Sequence, residues 1–310
     1  MSGLTPACVL CFGIVVADRI YEVEALPQGE GKFTAHAYRE SGGGIAGTAA
    51  AAVAALGARA LFCGAVGEDQ AGQFLRSELA GLGIDLGGMR VMAGGRTPTA
   101  SVVVDAQGER CLVVDRGTLL PRPPDPALVA QAGAVLVDHR FPEAAAALLQ
   151  ALPPHVPGVL DAEGGDAAGL RGLAAAATHP VFSRNGLQVA TGMADPEQGL
   201  RAVHAPHAAA VGVTLGGRGS LWRLNGGIHH VPTPQVRVRD TTGCGDVFHG
   251  AFALALAEGM PVLEAARFAS AAAALKARNG SGWHGMPDRP EAVALMRAAG
   301  DGEPLGLHAG

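Results

Sequence analysis

Hydrophobic positions along the chain fall into two alternating textures. Continuous apolar runs occupy 7–16, 60–66, 134–138, 158–161 and 209–215, which predicts strands covered on both faces, as in the interior of a parallel sheet. Between them lie alanine-rich stretches of helical length. A glycine-rich turn and helix are expected over 41–56, and helices over 71–82, 143–152 and 170–177. This alternation implies βαβ units with helices on both faces of a sheet. Past residue 240 the pattern becomes mainly helical, over 245–259, 262–277 and 290–299. Two stretches break the rhythm. Residues 19–39 are extended and of mixed polarity, and strands 99–104 and 109–114 around Ala106-Gln107-Gly108 read as a β-hairpin. No linker rich in Pro, Gly and Ser divides the 310 residues, so one α/β domain is expected.

Composition narrows the class. A chain that is 48% hydrophobic and 16% charged can bury a large core and is not a disordered segment. Its net charge of −5, with no basic run or basic-aromatic patch, argues against a nucleic-acid partner. The longest uncharged run, 41–58, is built from Ala and Gly and lacks the Leu, Ile and Phe of a membrane span. No basic region precedes an apolar stretch at the N-terminus, so no secretory signal is expected and a cytoplasmic location is. The five cysteines lie mostly inside apolar segments and read as buried thiols; Cys8-x-x-Cys11 has no second pair to complete a zinc site.

The segment Asp240-Thr241-Thr242-Gly243-Cys244-Gly245-Asp246 moves the reading from fold to chemistry. Its glycines allow a sharp turn and close approach to a ligand, and the apolar run after them reads as a buried helix with free N–H groups at its start. Such a terminus favours negative charge. Asp246, in the first turn, stands where it could take a proton from an attacking hydroxyl. An anion cradle beside a base suits phosphoryl transfer, although a glycine turn with Asp246 as a simple helix cap would use the same residues.

This segment resembles the D-T-x-G-x-G-D signature of the PfkB/ribokinase family of carbohydrate and nucleoside kinases. The resemblance implies a ribokinase-like three-layer α/β/α sandwich with a mainly parallel central sheet. It also implies a small β-sheet lid from about 19–39 and 97–116, through which a homodimer could form. Asp246 would be the catalytic base, with Gly243, Cys244 and Gly245 as the anion hole. Other segments follow in family order. Gly43-Gly44-x-x-x-Thr48 resembles G-G-x-x-x-N, with Thr48 replacing Asn, and Asp18, taken to end the first strand, matches an aspartate that accepts sugar hydroxyls. Thr214, Gly216, Gly217 and Gly219 resemble the T-x-G-x-x-G turn along ATP, to which Asp240 and Thr242 would also contribute. ATP and Mg²⁺ are implied as cofactors, with a monovalent cation as a third. The family's N-x-x-E is broken: Ser183 and Gly186 stand at its ends, so no metal ligand is assigned.

The acceptor is read from fewer residues. Within the family, the shared text is densest with kinases of 6-deoxy-6-sulfofructose, in which basic and amide side chains hold the sulfonate. Arg140 matches one such arginine and Lys32 a second cation; the amide has no counterpart near Asp115 and Arg116. Ketose phosphorylation on a primary hydroxyl is the expectation, with fructose, 2-keto-3-deoxysugar and nucleoside kinases as alternatives. With 4% aromatic residues, few rings are available to sandwich a nucleobase. A non-catalytic sugar or nucleotide sensor is the reading from another class. His249, one turn into the catalytic helix, is expected to be a satisfied packing residue.

Overall fold

The computed structural model describes residues 7–107, 109–280 and 282–300. The chain runs β1 (Cys8–Phe12), β2 (Val16–Glu22), β3 (Ala37–Gly43), α1 (Ile45–Ala55), β4 (Arg59–Gly67), α2 (Gln70–Gly81), β5 (Asp85–Met92), β6 (Thr99–Val104) and β7 (Arg110–Asp115). It continues α3 (Pro126–Val129), β8 (Ala134–Asp138), α4 (Pro142–Gln150), β9 (Gly158–Ala162), α5 (Ala167–Ala176), β10 (His179–Ser183), α6 (Arg184–Thr191) and α7 (Pro196–Ala202). The last part is β11 (Val211–Thr214), β12 (Ser220–Leu224), β13 (Gly227–Val231), α8 (Cys244–Ala257), α9 (Val262–Asn279) and α10 (Arg289–Gly300).

Nine strands form the main sheet in the order β13-β12-β11-β10-β9-β8-β1-β4-β5, parallel from β11 to β5 and antiparallel at the β12 and β13 edge. Side-chain alternation divides each inner strand between two cores. Val9 and Cys11 of β1 face the layer of α1, α8 and α9, while Leu10 and Phe12 face α4 to α7. That places helices on both faces, as the alternating pattern predicts. Helices α1 and α8 are buried nearly all round, which explains why neither shows a polar stripe. They touch at backbone distance, and a Cβ on Gly250 would stand 2.5 Å from the Ala49 carbonyl oxygen.

Four strands form a second sheet, β3-β2-β6-β7, with β2 and β6 parallel and the outer pairs antiparallel. This is the lid. Three expectations change here. The 7–16 run is not one strand, because Asp138 Oδ2 takes the Ile14 N–H at 2.7 Å and a Cβ on Gly13 would overlap that carboxylate. The chain leaves the main sheet at that point and Val16 opens the lid. Asp18 therefore sits on lid strand β2, not at the carboxyl end of β1. Likewise Ser41-Gly42-Gly43 is the end of β3 and not a turn; the turn is Gly44 alone, with φ 85°. The 99–114 hairpin forms as expected, although its Gly108 lies outside the described residues.

Strands β5, β10, β12 and β13 are additions to the apolar-run reading. β5 is an edge strand carrying Asp85, Gly87 and Gly88, and β10 contains His179 and Pro180, so neither is a clean hydrophobic run. β12 and β13 join through Asn225 and Gly226, both at positive φ. Such a pair matches the twist of two antiparallel strands.

Candidate active site

Two glycines at the end of lid strand β3 explain their own presence. A Cβ on Gly43 would overlap the Asp18 carboxylate, and one on Gly42 would overlap the ring of Trp283. The close approach that these glycines permit is thus by side chains of the protein itself. Trp283 Nε1 donates to Thr48 Oγ1 at 3.0 Å, which consumes an acceptor of the residue that replaces the expected Asn. Asp18 is half-buried, and desolvation raises its pKa to about 6 despite the opposing field of Arg39.

At the other wall, Gly243 takes φ 72° to cap α8 without a side-chain bond. The helix start is left open to an external acceptor. The Cys244 N–H is partly committed, donating to Thr241 O at 3.2 Å. Asp240 organises the turn: its Oδ1 accepts from Thr242 N at 2.8 Å and from Thr242 Oγ1 at 2.6 Å. Arg110, on lid strand β7, bonds the same carboxylate at 2.5 Å and the Thr242 hydroxyl, tying the lid to the anion turn across 130 residues of sequence. Asp240 is held below the ordinary carboxylate range, its burial being outweighed by the Thr242 bonds and the Arg110 charge.

Asp18, Gly43, Gly44, Thr48, Asp240, Thr242, Gly243 and Asp246 line one cavity of about 230 Å³, with Arg110, Lys276 and Trp283 also at its wall. Eight of the residues expected from sequence are therefore brought together. Asp246 has its pKa raised well above the usual carboxylate value, first by burial and then by the Asp161, Glu163 and Asp138 carboxylates, against the pull of His249. A base held toward neutrality suits proton abstraction from a hydroxyl. His249 is buried, with Nδ1 2.7 Å from Gly245 O and 2.9 Å from Asp161 Oδ2, and Nε2 3.3 Å from Val181 O. Facing only acceptors, the ring is an imidazolium, and Asp161 raises its pKa to about 9 in spite of burial. It is a satisfied core histidine that also carries charge. Its proton is aimed at Gly245, so Asp161 Oδ2 keeps a charge contact and no hydrogen-bond donor among the described residues.

A second cavity, of about 470 Å³, opens beside the ends of β8 and β9 and the start of α5, lined by Arg116, His139, Arg140, Gly164, Gly165 and Asp166. Arg140 is thus outside the Asp18 cavity, beyond an Asp138 carboxylate that accepts its N–H at 2.9 Å. Lys32 lies exposed in the loop between β2 and β3 and lines neither cavity. Thr214, Gly216, Gly217 and Gly219 form the end of β11 and a 3₁₀ turn, also outside both cavities; a Cβ on Gly219 would overlap the Val231 carbonyl oxygen.

The broken N-x-x-E has a steric cause. A Cβ on Gly186 would overlap the Ala162 carbonyl oxygen, so no glutamate fits there without moving β9. Ser183 caps α6 by accepting from Gly186 N at 2.9 Å and donates to Glu163 O at 2.8 Å. Glu163 emerges one residue past β9, exposed along part of its side chain, with its pKa raised by desolvation of the carboxyl and then by Asp161. Sequence reading missed Glu163, Arg110 and Trp283. The rule that ligands sit beyond the carboxyl ends of parallel strands could have found the first; no local signal marks the other two.

A family model described as pfkB family carbohydrate kinase matches residues 7–289. An ATP-dependent ribose-1-phosphate kinase of Halopiger xanaduensis is 30% identical over 93% of this chain and 96% of its own length. A crystal structure from Agrobacterium tumefaciens, provisionally classed as a ribokinase, superposes with a TM-score of 0.90 at 37% identity, covering 96% of this chain and all of the other. The Arabidopsis thaliana ribokinase complexed with ribose and ATP superposes with a TM-score of 0.82 at 27% identity, covering 95% and 99% of the two chains. The lid and three-layer fold, the glycine-capped helix with its half-buried acid and these likenesses agree: the chain belongs to the PfkB family and is an ATP-dependent carbohydrate kinase.

Proposed function

We propose that the acceptor is a ketose-type sugar with an anionic group at its far end, 6-deoxy-6-sulfofructose being the leading candidate, phosphorylated on a primary hydroxyl. The observation that carries this is the cavity that holds Arg116 and Arg140, separate from the acid-lined one. Arg116 follows β7, the lid strand whose Arg110 lines the first cavity, so the lid borders both. The Asp115 carboxylate, which would repel an anion, is paired with Arg96 at 3.3 Å. An acceptor that is itself a phosphate ester in the Halopiger relative is in keeping with this class.

In this reading Asp18 accepts hydrogen bonds from sugar hydroxyls and orients the reacting one toward Asp246. Asp246 takes its proton as the oxygen attacks the γ-phosphorus, and the bond to the ADP oxygen breaks. The open start of α8 at Gly243, Cys244 and Gly245 stabilises charge on the transferring group. Thr214 and the 216–219 turn lie along the nucleotide. Mg²⁺, when bound, would offset the charge of the phosphates. Glu163 would hold it, since magnesium keeps several waters and needs only one or two carboxylates; no cluster of three or more metal-binding side chains occurs among the described residues. Leu112, Val113 and Val114 expose an apolar strip on β7, which supports a homodimer through the lid. No helix among the described residues is long and apolar enough to cross a membrane.

A neutral sugar is the second reading, favoured by the exposed position of Lys32 away from both cavities. A coupled assay of ADP release across ketohexoses, their 6-phosphates and 6-sulfonates, ribose, deoxyketoacids and nucleosides separates them. Preference for an anionic ketose is expected; preference for a neutral sugar would sink the proposal, and no turnover with any acceptor would favour a sensor.

A further inference from the structure

The chain contains only two lysines, Lys32 and Lys276, among its 23 basic residues. One of them is 1% exposed. A lysine is almost never fully buried without partners, because removing an ammonium from water costs several kcal/mol. Its surroundings show what the charge does. Lys276 lies in the last turn of α9, where carbonyl oxygens collect the negative end of the helix dipole, and its Nζ donates to Gly280 O at 3.2 Å. The adjacent Ala277 carbonyl accepts from Arg239 N at 2.8 Å and Asp240 N at 3.1 Å, which clips the entry to the anion turn onto the end of α9. Gly280, at φ 68°, folds back so closely that a Cβ would stand 3.4 Å from Asp240 Cβ. The ammonium thus lies against the Gly280 carbonyl at the end of α9, with the Asp240 carboxylate close enough to act on its charge, at the wall of the reaction cavity.

The negative end of the α9 dipole, the Gly280 carbonyl and the nearby Asp240 carboxylate form a setting in which a soluble monovalent cation would bind. Here it is filled by a cation attached to the chain. The monovalent cation implied by the family resemblance does not fit this setting. We infer that Lys276 is a built-in substitute for it: the ammonium fixes the Asp240–Gly243 turn on α9 and places positive charge behind the transferring phosphoryl group, so the enzyme needs no potassium or sodium. A compact ammonium fits where a guanidinium fork would not, which explains a lysine in a chain that otherwise uses arginine. Lys276 acts through the turn and is a positioning residue.

This rests on the 243–246 turn as the transfer site, and not on which sugar is used. The test is turnover of the wild-type enzyme with any accepted sugar and saturating MgATP, all as tetramethylammonium salts, with KCl replacing the tetramethylammonium salt at a constant ionic strength of about 0.1 M. A change in kcat of less than about twofold is expected; stimulation of about fivefold or more, the scale of a coupled site, would overturn the inference. Lys276→Met keeps the stem and removes the charge. It should lower kcat more than KM, and KCl but not the tetramethylammonium salt should raise both its kcat and its melting temperature. An unaltered kcat in this variant would also overturn the inference. If Lys276→Met does not fold, the wild-type titration decides alone. The melting arm needs no sugar, so failure of the sugar assignment leaves it intact.

Discussion

The two cavities along the carboxyl edge of the sheet differ in the opposite sense from what size alone would suggest. The larger, about 470 Å³, presents Arg116, His139 and Arg140 but no catalytic base. The smaller, about 230 Å³, holds Asp18 and Asp246 on facing walls, each with its proton affinity raised by burial. Chemistry needs a base displaced from its ordinary pKa beside an uncapped helix terminus, and only the smaller cavity has both. What the larger one offers is charge at a distance from the reaction, which can choose among acceptors without altering the transfer. The difference assigns reaction to one region and selectivity to the other.

Removing the base should have the largest effect. Asp246→Asn is expected to lower kcat by about 10²–10⁴-fold while calorimetric binding of sugar and nucleotide persists. The same variant should melt at a higher temperature at pH 7, because a carboxylate desolvated among Asp161, Glu163 and Asp138 is replaced by a neutral amide. Loss of binding together with turnover would mean that Asp246 holds the site together and is not a base. Asp18→Asn should act mainly on KM, raising it by about tenfold as one charge-assisted hydrogen bond is lost. With the wild-type Asp18 pKa near 6, KM for the sugar should rise as pH falls from 7 toward 5 and the carboxylate protonates. A KM flat across that window would remove Asp18 from the sugar site.

The smallest expected effect is on stability. The His249 pKa is raised to about 9 from an unfolded value near 6.5, so the proton it gains on folding stabilises the protein fully below pH 6.5. That contribution is lost as pH rises through 9. A melting temperature that falls between pH 7 and pH 9.5 in the wild type, and falls less in His249→Gln, is the expected record.

Much of this was legible because it is local. The 240–246 turn and the βαβ rhythm each depend on residues close in sequence, where a glycine or a charged position has a fixed geometric meaning. Asn225-Gly226 was equally local, but β12 and β13 escape a search for continuous apolar runs because they lie at the sheet's antiparallel edge. Arg110 and Trp283 could not be read this way. Their partners are 130 and 235 positions distant; the docking of the lid on the start of α8 brings Arg110 to Asp240, and the packing of the turn after α9 on α1 brings Trp283 to Thr48. The split of the first apolar run has a similar origin, since the residue that ends β1 is Asp138, on another strand. Gly186 is instructive in another way: a departure from the family pattern turns out to be enforced by the Ala162 backbone, with Glu163 emerging beside it.

The division between the cavities is tested most directly by Arg140→Ala, through kcat/KM measured on a 6-sulfonated or 6-phosphorylated ketose and on the unsubstituted ketose. Loss of one charged contact should reduce the anionic substrate by about 10–100-fold and leave the neutral one within about twofold. An equal loss on both substrates, or none on either, would contradict the assignment of selectivity to the basic cavity.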